Sequence, residues 1–118
     1  MEAYRVVAAL GALAQESRLA IFRLLVAQGP LGLPAGQIAD AVGLPAATLS
    51  FHLSQLHHAG LVRSRREGRS ILYAADYDSM NELLRYLTEN CCSAGGGCAP
   101  RPSGKETSRV AKSRGRAK

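Results

Sequence analysis

The sixteen residues from Pro45 to Gly60, PAATLSFHLSQLHHAG, limit the fold more than any other stretch. Pro45 suits the first turn of a helix, where its missing N–H costs nothing. Leu49, Leu53 and Leu56 then recur at helical spacing and must share one buried side, and Gly60 offers a left-handed exit. Just upstream, Ala35 to Val42 reads as a short helix with Ile38, Ala39 and Val42 inward, and Gly43 ends it. Two helices joined by a three- or four-residue turn containing Gly form a helix-turn-helix unit.

The flanking sequence extends this unit in both directions. Glu2 to Ala14 carries Val6, Val7, Leu10, Leu13 and Ala14 at helical spacing. Ser17 is placed to cap a second helix running to Val26, with Ile21, Leu24 and Leu25 as its buried stripe, and Gly29-Pro30 stops it. The segment from Gly29 to Pro34 reads as a loop. Downstream, Leu61 to Arg66 and Arg69 to Ala74 read as strands around a Glu67-Gly68 turn. A last helix follows, capped by Asp76 or Asp78, with Met80, Leu83, Leu84 and Leu87 as its apolar stripe. The expected fold class is therefore mainly α with a small β-hairpin (α+β). Leu10, Leu13, Leu83, Leu84 and Leu87 offer more apolar surface than one protomer of 118 residues covers, which predicts a homodimer formed through the N- and C-terminal helices.

Composition narrows the function. No run approaches the ~20 apolar residues of a membrane span, and the start of the chain lacks a signal peptide's layout, so the expectation is a cytoplasmic protein with no membrane partner. The net charge of +6 sits unevenly. Met1 to Cys98 is balanced, whereas Ala99 to Lys118 holds seven basic residues and Glu106. Three regions follow: 1–92 as the folded, dimerising domain, 93–98 as a Gly-rich segment that ends at the last cysteine, and 99–118 as a basic disordered tail.

On the helix from Pro45, the side opposite the leucines carries Ala47, Ser50, Phe51, Ser54, Gln55 and His58. It is small, polar and free of acid, as a helix seated in the major groove of double-stranded DNA requires; Phe51 suits apolar contact with a thymine methyl. Arg63, Arg65, Arg66 and Arg69 on the hairpin are placed to hold phosphates or enter a minor groove. A solvated helix beside an arginine-guarded edge explains each feature singly, but not their ordered combination. His52 lies at the edge of the buried stripe and reads as a structural hydrogen-bonding residue rather than a metal ligand. His57 and His58 point about 100° apart and do not readily share a metal; His57 reads as solvent-facing and His58 as a phosphate or base contact.

The stretch GLPAATLSFHLSQLHHAGLVRSRREGRSILYA resembles the winged helix-turn-helix core of the ArsR/SmtB family of bacterial metal-sensing repressors. ALAQESRLAIFRLL, with Ser17, Arg18 and Ile21, resembles that family's second-helix signature, so the likeness runs from Ala12 to Leu87. It implies a homodimeric repressor that releases operator DNA when its ligand binds, with the recognition-helix and wing residues above as the DNA contacts.

All three cysteines fall in CCSAGGGC, as Cys91, Cys92 and Cys98, with glycines that let the last return to the pair. An odd, clustered set argues against a secreted disulfide scaffold. Zinc prefers four ligands, and Glu89 is the nearest candidate for a fourth. Trivalent arsenic or antimony is thiophilic, and three sulfur bonds complete its pyramidal coordination. The resemblance agrees: cysteine is absent from Gln37 to Ser54 and histidine from the last helix, where the family's other sites would need them, leaving a likeness to arsenite-responsive members with a C-terminal adjacent-Cys pair and a third Cys nearby. Methylated trivalent arsenic would need only two thiols. The alternatives are a redox switch on the same cysteines and a divalent-metal (Zn/Cd) sensor. An enzyme is not expected: residue six after Cys92 is Cys98, where a phosphate loop needs Arg, and there is no Ser/His/Asp set, paired buried carboxylates or nucleotide loop.

Overall fold

The computed structural model describes residues 1–95. They fall into two compact units, Met1–Leu87 and a second that begins at Thr88. The first holds five helices and three short strands among the described residues: α1 (Ala3–Leu13), α2 (Glu16–Gln28), β1 (Leu33–Pro34), α3 (Ala35–Val42), α4 (Ala46–His58), β2 (Val62–Glu67), β3 (Ser70–Ala75) and α5 (Tyr77–Thr88). The sheet is antiparallel in the order β1-β3-β2. The architecture is the expected winged helix-turn-helix, with one strand more than the hairpin.

The core gathers Val6 and Ala9 of α1, Ile21, Phe22 and Leu25 of α2, Ile38 of α3, Leu49, Leu53 and Leu56 of α4, and Leu61, Val62, Ala75 and Leu83. Each fully buried Leu or Ile contributes about 1.5–3 kcal/mol relative to exposure. α2 packs against α1, α3, α4 and β3, and so forms the hub of the unit. α3 and α4 are joined by Gly43, Leu44 and Pro45. Gly43 closes α3 in the left-handed conformation at φ +71°, its N–H bonded to Ala39 O at 2.8 Å. A side chain there would resist that conformation, so the turn stays short.

Several boundaries differ from the sequence expectation. Gln15, not Ser17, caps α2: its backbone is extended and its side chain accepts from the Arg18 N–H at 2.9 Å, which places Ser17 inside the helix. Phe22 joins Ile21 and Leu25 in the core, while Leu24 is only half-buried. Pro45 precedes α4 as its N-cap rather than opening it. The hairpin loop is Gly68-Arg69, since Glu67 pairs with Ser70. That register puts Gly at the first central position of a two-residue loop, one of the arrangements that match strand twist. Asp76 caps α5, its Oδ1 accepting from the Ser79 N–H at 3.0 Å. The Tyr77 hydroxyl then donates to Val26 O at 2.9 Å and lies 3.3 Å from Leu25 O, serving carbonyls at the end of α2.

The inner face of α1 is Val6 and Ala9; of the other apolar residues at helical spacing, Val7 is 68% exposed and Leu10 also faces out. Leu83 is buried and Leu13 half-buried within the protomer's own core, whereas Leu84 and Leu87 are exposed.

The loop expected from Gly29 to Pro34 ends instead in β1, where Leu33 pairs with Tyr73 and Pro34 with Leu72. Pro34 lacks an N–H and is tolerated because β1 is an edge. Gly32 makes the approach at φ +80°, and a Cβ there would sit 2.5 Å from the Tyr73 carbonyl oxygen. Gly32→Ala should therefore destabilise the unit by about 1–3 kcal/mol from backbone strain alone, at roughly 4–8 °C of Tm per kcal/mol in a domain this size. Gly36→Ala, on α3 with nothing within 4 Å of a new Cβ, is the control. Equal melting temperatures by circular dichroism for the two variants would refute the close-approach account.

Candidate nucleic-acid interface and thiol cluster

The buried leucines set the rotation of α4. With Leu49, Leu53 and Leu56 in the core, Ala47, Ser50, Phe51, Ser54, Gln55 and His58 all emerge on the exposed side. Phe51 is 57% exposed, an unusual display for an aromatic ring in the middle of a helix. Arg63, Arg65 and Arg66 lie along the exposed part of β2, and Arg69 occupies the loop at its tip. Strand alternation puts Arg63 and Arg65 on one face and Arg66 on the other. Arg65 Nη2 lies 3.5 Å from Glu67 Oε2 in an exposed ion pair, a contact of the weak, solvent-screened kind.

The histidines on α4 behave differently from one another. His52 is the one buried polar residue among the described residues, at 8% exposure. Arg18 Nη1 lies 3.3 Å from its Nδ1, and Arg18 Nε donates to Ala12 O at 2.7 Å. A guanidinium has only donors, so Nδ1 accepts and the ring carries its proton on Nε2. His58 is exposed, with Nδ1 2.8 Å from Ser54 O. A carbonyl only accepts, so there Nδ1 donates and Nε2 keeps its lone pair in the neutral ring. His57 is solvent-facing, its ring 6.2 Å from that of His58 and edge-on to it. Sequence reasoning found the role of His52 but not its partner; Arg18 stood out only through the family signature.

In the second unit the Sγ atoms of Cys91 and Cys92 lie 3.5 Å apart. That is too long for a bond between them, which needs about 2.05 Å. Two bonds of about 2.3 Å to one soft atom span sulfur separations up to roughly 4.6 Å, so the spacing suits a shared thiophilic ligand once Cys92 is reduced. Cys91 keeps an exposed thiol, and Cys92 is disulfide-bonded. Asn90 and Cys92 both have φ +61°, so the backbone has left the helical conformation of α5 here. Cys98, much of the segment 93–98 and the whole of 99–118 lie outside the described residues. Among the described residues no group of three or more His, Cys, Asp or Glu is arranged to hold a metal ion, and no helix is long and apolar enough to cross a membrane.

Known proteins share this architecture and sequence. A helix-turn-helix domain family matches residues 13–65, from the end of α1 into β2. The transcriptional regulator YgaV of Escherichia coli is 32% identical over 85 residues, 72% of this chain and 84% of YgaV. An ArsR-like transcriptional regulator from Rhodococcus superposes with a TM-score of 0.67 at 27% identity, over 76% of this chain and 82% of that one. A homodimeric winged helix-turn-helix DNA-binding domain from Mycobacterium bovis, described as a possible ArsR-family regulator, does so with a TM-score of 0.58 at 31% identity, over 80% and 88%. These relatives regulate transcription rather than catalyse reactions. With the helix-turn-helix, the arginine-bearing wing and these likenesses together, the chain belongs to the ArsR/SmtB family of winged helix-turn-helix transcriptional regulators.

Proposed function

We propose that this regulator is a cytoplasmic repressor that binds operator DNA as a homodimer and releases it when trivalent arsenic or antimony is taken up by Cys91, Cys92 and Cys98. The observation that carries the ligand is the 3.5 Å approach of two sulfurs, six residues before a third cysteine in the sequence. Three soft donors without a fourth suit a pyramidal metalloid better than tetrahedral zinc.

DNA reading rests on the acid-free outer side of α4. Ala47, Ser50, Phe51, Ser54 and Gln55 are the base-facing set, His58 contacts phosphate or a base, and Arg63, Arg65, Arg66 and Arg69 hold phosphates from the wing. Homodimerisation is supported by the apolar outer face of α1, where Tyr4 is 73% exposed beside Val7 and Leu10, and by Leu87 of α5 at 53%. The Mycobacterium bovis neighbour is described as homodimeric. In such a dimer two α4 helices enter successive major grooves about 34–36 Å apart. Ligand binding at the cysteines changes the end of α5 or the dimer packing, and that spacing is lost. Reciprocity requires that bound DNA weaken ligand binding by the same factor.

A redox switch is the second reading, favoured by the disulfide at Cys92. In that case oxidation and reduction of the cysteines, not metalloid uptake, would change DNA affinity, whereas the metalloid reading needs the thiols reduced.

Both readings are tested by mobility shift of a duplex enriched from a random pool by the wild-type protein. Reduced full-length protein on that duplex is titrated with arsenite, antimonite, zinc, cadmium and peroxide in turn. Release by the two metalloids at lower concentration than by zinc, cadmium or peroxide is expected, and Cys98→Ser should need much more arsenite. Release of Cys98→Ser at the wild-type arsenite concentration would eliminate the three-thiol scheme; release by peroxide alone would establish the redox reading. For the wing, Arg65→Ala should weaken binding to all duplexes and reduce the slope of log K against log salt by about 0.9, the value for one phosphate contact. An unchanged slope rejects a phosphate contact at Arg65.

A further inference from the structure

We infer that Arg18 is a positioning residue for DNA reading, fixing the outer face of α4 in rotation through its hydrogen bond to the buried His52. The inference rests on the reading that α4 is the DNA-reading helix. Arg18 reaches across two elements. Its Nε donates to Ala12 O at the end of α1, and its Nη1 donates to His52 Nδ1 on α4. A single guanidinium planted in α2 thus joins α1 to α4.

The leucine stripe decides which side of α4 faces out, but apolar packing is non-directional and leaves small rotations about the axis open. A hydrogen bond is directional and loses strength steeply with angle. His52 lies next to Phe51 on α4, with ring centroids 5.6 Å apart and planes tilted by 60°. Rotation that broke the Arg18 contact would carry the exposed Phe51 ring with it. It would also leave the Nδ1 lone pair buried without a partner, a cost that opposes the movement. The chemistry of Arg18 suits this role. Its guanidinium is always charged and carries several donors in a rigid fork, so it serves both acceptors at once. The same bridge puts the end of α1, a helix with an apolar outer face, in register with α4.

The test compares Arg18→Gln, His52→Leu, the double variant and His52→Asn in the full-length chain. His52→Asn keeps an acceptor close to the Nδ1 position. For each, Kd is measured on the duplex enriched by wild type and on a scrambled duplex, together with Tm and oligomeric state. Arg18→Gln and His52→Leu should each lower the ratio of the two affinities by about tenfold or more, the double variant by no more than the worse single, and His52→Asn by under about threefold. Affinity for the scrambled duplex should hold, because the phosphate contacts of the wing arginines do not depend on the rotation of α4. Wild-type ratios in both single variants, additive losses, failure of His52→Asn to rescue, or losses that simply follow a fall in Tm would each overturn the inference while leaving DNA reading intact. Failure of wild type to enrich any duplex would overturn both.

Discussion

Burial of Leu49, Leu53 and Leu56 is the constraint on which the functional surface depends. The three occupy one stripe at i, i+4 and i+7, and the core that α1, α2, α3 and β2 build around α4 accepts that stripe and little else. Turning the helix by one residue, about 100°, would push Ser50 and Ser54 inward. Each buried hydroxyl without a partner would cost about 1–3 kcal/mol, and each expelled leucine a comparable amount. The acid-free side that faces out is therefore a consequence of the core. The same residues that stabilise the fold aim the helix.

The two informative histidines on α4 show how local partners assign different chemistry to one residue type. Arg18 makes His52 an acceptor through Nδ1; the Ser54 carbonyl makes His58 a donor through Nδ1. His58 in its neutral form accordingly keeps an exposed acceptor lone pair at Nε2. A backbone carbonyl four residues earlier thus fixes the tautomer of the neutral His58 ring.

The sequence made the helix-turn-helix legible because its signals are local. Gly43 stops α3 through its own backbone conformation, and the leucine spacing of α4 is intrinsic to the helix. Sequence and structure part where non-local contacts decide. β1 exists because Tyr73 and Leu72 lie alongside Leu33 and Pro34, a pairing that no property of GPLGLP announces. The hairpin loop sits one residue further on because Glu67 extends the ladder with Ser70, while Gly68 is a loop residue in either register. Gln15 displaces Ser17 as the cap of α2 since its side chain reaches the Arg18 N–H. On α1, Val6 and Val7 are equivalent by composition, and only packing against α2 and α4 tells them apart; the run Tyr4, Val7, Leu10 at three-residue spacing was the available signal for an outer apolar face. The outer side of α4 was legible for the opposite reason, since it is what remains once the leucines are buried.

The start of α5 is held at three points. Asp76 caps it, the Tyr77 hydroxyl serves the last carbonyls of α2, and Leu83 enters the core. By Leu87 the apolar side chain is half out of the protomer, and the cysteines begin four residues later in the sequence. A change at the far end of this helix passes on through whatever its side chains there pack against. In a homodimer the exposed Leu87 would meet the partner chain, so under the proposed reading a ligand at the cysteines would bear on the relation between protomers. A helix pair that must meet two grooves one turn apart is sensitive to that relation, and a small change there suffices to spoil the fit.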